Sequence, residues 1–370
     1  MKRAMARVGV TVADIDTPAL VIDLDAMERN LARMAEFART HGMRLRPHAK
    51  MHKSAIISRL QMDAGAVGVC VQKLSEAEAL ADGGVGDIFI SNEVIAPAKL
   101  ERVAMLAKRI KLAIAFDSTL GIDRLADALR RAGSSLDVFV EVDVGQGRCG
   151  VAPTAAGALA QQVVSHGLRF AGLQAYHGKA QHIRSAAERE AAIRHAVTAA
   201  RTAQAAVTGA GIACPLVTGA GTGSFVFEAA SGVYGELQAG SYLFMDRDYR
   251  ENESAPGAPT FENALFVKSQ VLSRGQSHAV VDAGHKSHAI DSGLPRVWCR
   301  DLEFSNGGDE HGVLRPRGDA LPALGDTVWL VPGHCDPTVN LHDHYVVVRG
   351  GLDTGVVSAV WPVDARGCLS

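Results

Sequence analysis

Cysteine, an excess of one charge and long apolar runs are all scarce in this sequence. Its 370 residues include six cysteines and no Cys-x-x-Cys pair, which excludes a disulfide framework. A reduced, cytoplasmic protein is the expectation. The formal net charge is −2, so the basic footprint of a nucleic-acid binder is missing. No apolar run approaches the roughly 18 residues that would span a bilayer, so no membrane partner is expected. The start, Met1-Lys2-Arg3-Ala4-Met5-Ala6-Arg7, is basic like a secretory leader. The apolar stretch behind it is short and broken by Asp14 and Asp16, which excludes that reading.

What is present is an ordinary globular balance, 47% hydrophobic and 21% charged, in a chain long enough for one large domain and a smaller one. Apolar runs at 44–49, 67–71, 87–91, 111–116, 136–143, 170–176, 215–219 and 236–242 read as strands. Between them, 24–41, 74–83, 97–107, 120–132, 155–165 and 186–209 read as helices, the last rich in Ala, Arg and Glu. Such alternation requires parallel strands joined by crossovers. Eight units predict a (β/α)8 barrel over residues 25–255, with an open doubly wound sheet as the rival. Beyond residue 260, short runs at 280–282, 327–331, 345–349 and 356–361 are separated by Gly, Pro and Asp, with no strong helix. They predict a smaller antiparallel β domain formed by 256–370 together with 1–24, because 19–24 has no barrel role. Residues 252–259 are the expected exposed junction.

The strand ends carry the polar residues, where barrel chemistry belongs. Lys50 follows the first strand among His48, His52 and Lys53. Neighbouring cations and burial lower a lysine pKa toward the neutral amine that carbonyl chemistry needs, while a solvated basic loop is the plain alternative. Thr218-Gly219-Ala220-Gly221-Thr222-Gly223-Ser224 is a Gly-rich turn after the seventh strand, where backbone N–H groups can surround a phosphate. Ser241 and Tyr242 offer further hydroxyls. An extended path through Gly333-His334-Cys335-Asp336-Pro337 would place His334 and Asp336 on one face, a pair suited to a divalent cation. His342 and His344 have the same spacing, and spacing does not separate the two pairs.

Arg46-Pro47-His48-Ala49-Lys50-Met51-His52-Lys53, Asp143-Val144-Gly145-Gln146-Gly147-Arg148-Cys149-Gly150, Gly172-Leu173-Gln174-Ala175-Tyr176-His177-Gly178, Thr222-Gly223-Ser224, Glu236-Leu237-Gln238-Ala239-Gly240-Ser241-Tyr242, Asp282-Ala283-Gly284, Asp309-Glu310-His311-Gly312 and Pro332-Gly333-His334-Cys335-Asp336-Pro337-Thr338 occur in this order almost end to end. In these segments the chain resembles the D-threonine aldolase and 3-hydroxy-D-aspartate aldolase group, within the alanine-racemase-like (fold type III) pyridoxal-phosphate enzymes. The resemblance implies a barrel plus a C-terminal β domain. It implies that Lys50 carries pyridoxal 5′-phosphate, with Gln72, Arg148 and Tyr176 lining the cofactor. The phosphate would sit at Thr218, Gly219, Gly221, Thr222, Gly223, Ser241 and Tyr242. His334 and Asp336 would hold a divalent metal, Mn2+ before Mg2+, Co2+ or Zn2+, near His182 as the catalytic base. It further implies a homodimer that cleaves D-3-hydroxy-amino acids to glycine and an aldehyde. A 3-hydroxy-D-aspartate aldolase and a D-serine or D-3-hydroxyaspartate dehydratase are the alternatives. Lys179-Ala180, His285 and His288 depart from the pattern, and each reads more simply as exposed than as a substrate contact.

Overall fold

The computed structural model describes residues 6–370, so residues 1–5 of the basic start lie outside the described residues. After β1 (Ala19–Asp23) and α1 (Leu24–Thr40) come eight parallel strands. They are β2 (Arg44–Leu45), β3 (Val69–Val71), β4 (Asp87–Ile90), β5 (Lys111–Phe116), β6 (Asp137–Glu141), β7 (Arg169–Ala175), β8 (Val217–Gly219) and β9 (Glu236–Leu237). The sheet runs from β3 to β9 in chain order and then to β2. It closes on itself. The Val67 N–H donates to Leu45 O at 2.9 Å, Cys70 N–H to Pro47 O at 2.8 Å, and His48 bridges Cys70 in parallel. Closure removes the open-sheet alternative.

Helices α2 (Ala55–Asp63), α3 (Leu74–Asp82), α4 (Pro97–Leu106), α5 (Thr119–Ala132), α6 (Ala156–Ser165), α7 (Ala186–Gly209) and α8 (Phe225–Ala230) follow the strands. Alternation along each strand divides the core. Val69, Ile88, Ile114 and Val138 pack outward with the helices, whereas Cys70, Phe89, Ala115 and Phe139 form a separate cluster inside. Local signals fix the ends of α5. Ser118 accepts from Gly121 N–H at the start, and Gly133 closes the end at φ 62° behind Arg130 and Arg131.

Six of the eight expected strands are shorter than the apolar runs suggested, the first and the last most of all. The first stops at Leu45, because Pro47 lacks an N–H and His48 Nδ1 accepts from Lys50 N–H to start a 3₁₀ turn, Ala49–Met51. The last stops at Leu237, and Ser241–Leu243 is another 3₁₀ turn.

The turn α9 (Arg247–Arg250) leads into a second sheet. Its strands are β10 (Leu265–Arg274), β11 (Ala279–Val281), β12 (Arg296–Val297), β13 (Leu302–Asn306), β14 (Gly312–Pro316), β15 (Thr327–Val331), β16 (His344–Arg349) and β17 (Val356–Pro362). β1 lies between β10 and β16, antiparallel to the first and parallel to the second, so one pair in this sheet is parallel. Two short helices interrupt it where none was expected, α10 (Cys335–Val339) and α11 (Gly351–Thr354). In α10, His334 is the N-cap, and Asp336 and Pro337 lie in the first turn, where an acid and a proline both fit. Half of residues 252–259 are exposed, and the segment is tethered. Glu253 N–H donates to Arg184 O, and Asn252 Nδ2 to Gln181 O. Among the described residues all six cysteines are unpaired, and no helix is long and apolar enough to cross a membrane.

Candidate active site

A cavity of about 530 Å³ opens at the C-terminal ends of the barrel strands. Below it, polar side chains fill the barrel. Gln174 and Gln238 exchange hydrogen bonds at 3.2 and 2.7 Å, and Gln238 Nε2 also donates to Thr218 Oγ1 at 2.8 Å. Thr218 donates to Glu236 at 2.9 Å, and Glu236 accepts from Arg46 at 3.3 Å. Every link is buried, and the one oxygen without a hydrogen bond, Glu236 Oε2, lies 3.1 Å from Arg44 Nη2, which makes a rigid floor.

Lys50 projects into the cavity from its 3₁₀ turn. The expectation of a lowered lysine pKa does not hold here. Asp336 Oδ2 lies 2.9 Å from Nζ, and its charge holds the ammonium up against the opposing effect of burial. Nor is the surrounding loop a solvated basic one. His48 is buried, with Nε2 3.2 Å from Ser91 Oγ and 3.0 Å from Gln72 Nε2. His52 is buried against Gln61, and Lys53 forms a 2.5 Å ion pair with Glu76. Gln72 therefore reaches the cavity wall from the second strand end. Arg148 lies over the Tyr176 ring, 5.9 Å from its centroid, and both face the cavity.

His334 and Asp336 both face the cavity while Cys335 is buried against Met245 O. The path is not the extended one expected, because the helix begins between them. Asp246 Oδ2 accepts from His334 Nδ1 at 2.9 Å and turns Nε2 toward Asp336 Oδ1, 3.8 Å away. Burial opposes charge on His334, but Asp246 and Asp336 outweigh it and raise its pKa to about 9. Burial likewise opposes charge on Asp336, but Lys50 and His334 draw it down to about 2. Asp336 Oδ1 is buried with no hydrogen-bond partner. Nitrogen and oxygen ligands sharing one divalent ion at ~2.1 Å bonds lie roughly 3.0–3.5 Å apart. A small side-chain adjustment would satisfy that orphaned oxygen, so the donor set fits such an ion. The rival His342 is bound to Ser287 O at 2.8 Å, and neither it nor His344 lines the cavity.

His182 also lines the cavity, with Nδ1 2.5 Å from Asp248 Oδ2. Asp248 is buried, yet His182 and Arg184 hold its pKa down to about 2. Asp246 and Asp248, which orient the two histidines, were missed in the sequence. The available signal was the Asp-x-Asp spacing after the eighth strand.

The Gly-rich turn divides in two. Ala220, Gly221 and Thr222 face the cavity, with Gly240 and Ser241 from the next strand end. Thr218, Gly219, Gly223 and Tyr242 do not line it. Thr218 belongs to the floor network, and the Tyr242 hydroxyl is sealed against Gln61. Buried Gln181 explains the rest. Its Oε1 accepts from Gly223 N–H at 2.9 Å, and its Nε2 donates to Ser224 Oγ at 2.7 Å. A Cβ on Gly221 would stand 2.5 Å from Gln181 Oε1. The close approach of this glutamine therefore requires the glycine, and the Gly223 N–H is already engaged. Ala220, at φ 71°, is strained in a way that often marks a binding turn. Lys179 is exposed at the cavity rim. His285 pairs with Asp309 at 3.0 Å, and His288 is buried against Phe304, so neither reaches the site.

Residues 22–248 match the family described as alanine racemase, N-terminal domain, and 264–348 match the putative serine dehydratase domain. The chain is 47% identical over 367 residues to a D-threonine aldolase of Arthrobacter sp., covering 98% of this chain and 96% of that one. It is 45% identical over 369 residues to a 3-hydroxy-D-aspartate aldolase of Paracoccus denitrificans (strain Pd 1222), covering 97% and 94%. The crystal structure of a D-threonine aldolase from Filomicrobium marinum superposes with a TM-score of 0.97 at 48% identity, covering 99% of this chain and 100% of that one.

Proposed function

The chain belongs to the family of the alanine racemase N-terminal domain, and from that premise we propose that it is a pyridoxal-phosphate, metal-assisted aldolase. Its substrates are D-3-hydroxy-amino acids, and its products are glycine and an aldehyde. One observation carries this reading. A single cavity joins Lys50 to a His334/Asp336 pair with one carboxylate oxygen left over.

Lys50 would hold the cofactor covalently, with Gln72, Arg148 and Tyr176 beside it and Gly221, Thr222 and Ser241 nearest its phosphate. Pyridoxal phosphate supplies a sink for the electrons freed at Cα when the Cα–Cβ bond breaks. A divalent ion on His334 and Asp336 would make the substrate's 3-hydroxyl more acidic. His182 is the base for that proton, because Asp248 engages Nδ1 and leaves Nε2 free. The barrel mouth and the α10 turn orient the breaking bond and limit water.

The test is product analysis of purified, cofactor- and Mn2+-loaded protein given D-threonine, 3-hydroxy-D-aspartate or D-serine, with L-threonine as the stereochemical control. Glycine plus aldehyde supports the proposal. A 2-oxo acid plus ammonia would make the chain a dehydratase, the reading favoured by the match at 264–348. A preference for 3-hydroxy-D-aspartate would point to Lys179, the rim cation. The resemblance also supports a homodimer, which light scattering measures directly.

A further inference from the structure

Behind Arg148, the ends of three consecutive barrel strands bring together a second set of ligand-type side chains that the proposed reaction does not use. Glu93 follows β4, Asp117 follows β5, and Cys149 lies in the loop after β6. One ligand atom from each lies within 4.8 Å of the others. Glu141, the last residue of β6, meets the same group through Glu93 and Asp117. It is 3% exposed, and its Oε2 has no hydrogen-bond partner. Both oxygens of Glu93 are also buried with no partner outside the cluster, and inside it they face the Glu141 carboxyl and the Cys149 thiol. Asp117 Oδ2 accepts one bond, from Gly150 N–H at 3.1 Å. The nearest positive charge is Arg148, 3.9 Å from Glu141 Oε1.

Three carboxylates and a thiol, with three orphaned oxygens among them, are costly to bury without a counter-charge. A proton shared by Glu93 and Glu141 would satisfy one oxygen of each and leave the second Glu93 oxygen to the Cys149 thiol, but it would neutralise only one of the three carboxylates. A single cation would satisfy all of them. We propose that Glu93, Asp117 and Cys149, backed by Glu141, form a second divalent-cation site, separate from His334 and Asp336. Mixed carboxylate and thiolate donors suit a borderline transition metal such as Zn2+ or Co2+ better than Mg2+ or Ca2+. The thiol proton leaves to solvent when the ion binds. The ion would stand behind Arg148 and set the charge that the guanidinium feels from below.

Cobalt is the probe, because a thiolate ligand gives it a near-ultraviolet charge-transfer band. Metal-stripped, cofactor-loaded protein is titrated with Co2+, and difference spectra are taken against the Zn2+-loaded form. The proposal expects about two ions per protomer. It also expects a band that disappears in Cys149→Ser and persists in the His334→Ala/Asp336→Asn double variant. Glu93→Gln, a milder change than removing the thiol, should weaken binding of the second ion at least tenfold. One ion per protomer, or a band indifferent to Cys149→Ser, would overturn it. So would a protonated-carboxyl infrared band that survives Co2+ saturation and vanishes in Glu93→Gln, because a shared proton would then be the counter-charge.

Discussion

Two cavities of the same size, about 530 Å³ each, sit in this molecule, and only one looks like a place for chemistry. The second lies against the β domain, between the start of α1 and β15, beside Phe266, Trp298 and Trp329. Most of its charged groups are already engaged. Glu262 is held by Arg29 and Arg33 at 2.7 Å each, Arg250 donates to Phe261 O, and Arg300 donates to Ala320 O. At the barrel mouth, Asp336 keeps a bare buried oxygen and His334 presents an uncommitted nitrogen. Volume is shared by both cavities. Unspent hydrogen-bonding capacity is partly shared too, through Asn263 Oδ1 in the second cavity; a bare carboxylate oxygen beside an amine and an imidazole is not, and that marks the site.

The sharpest way to break this contrast is Lys50→Ala. Turnover should fall on the order of 10³-fold or more, and borohydride should leave no pyridoxyl adduct on the chain. Arg300→Ala in the other cavity should change turnover less than about twofold. Comparable losses from both would erase the distinction. Next comes Asp336→Asn. We expect a loss of roughly 10²-fold and no recovery on adding Mn2+, with chelator reducing the parent protein to the same rate. A metal-responsive variant would remove Asp336 from the ion's shell.

Asp248→Asn should act more gently, through His182. A drop of about tenfold in kcat, with KM nearly unchanged, identifies a positioning role, and an unchanged kcat would dismiss it. The smallest effect concerns stability. Glu228 is buried beneath the Gly-rich turn and accepts from Ser224 Oγ at 2.8 Å. Burial raises its pKa from 4.5 to about 7. Below pH 4.5 the folded and unfolded chains both keep this proton. As pH rises toward 7, only the unfolded chain loses it, so stability falls, and the cost, roughly 3 kcal/mol, is complete above that range. Glu228→Gln should therefore raise Tm by a few degrees at pH 8 and barely at pH 4.5. An equal change at both would show that the carboxyl does not titrate there.

The barrel was legible because most of its strands and helices announce themselves locally, by run length, Ala-rich faces and turn residues, although α2 and α8 are not among the helices read from the sequence. Lys50, His334 and Asp336 were legible as residues in short motifs. Their geometry was not. The first strand was read through to residue 49, yet Pro47 ends it. The 334–336 path was read as extended, yet a helix starts there. Gln181 remained hidden because its partners, Gly223 and Ser224, lie some forty residues away. Glu93, Asp117 and Cys149 form no motif either, since three separate strand ends must converge before they meet. Contacts between distant segments leave no period or spacing in a linear string.

The short turn at α9 ties the barrel to the β domain. Asp246 and Asp248 stand two residues apart, and Arg247 and Asp248 donate their N–H groups to Pro332 O and Gly333 O at the tip of the β domain. The same turn therefore grips a histidine on each lobe, His334 on one side and His182 on the other. The span between the two histidines is therefore set by one four-residue turn, and it holds only while that turn keeps its shape.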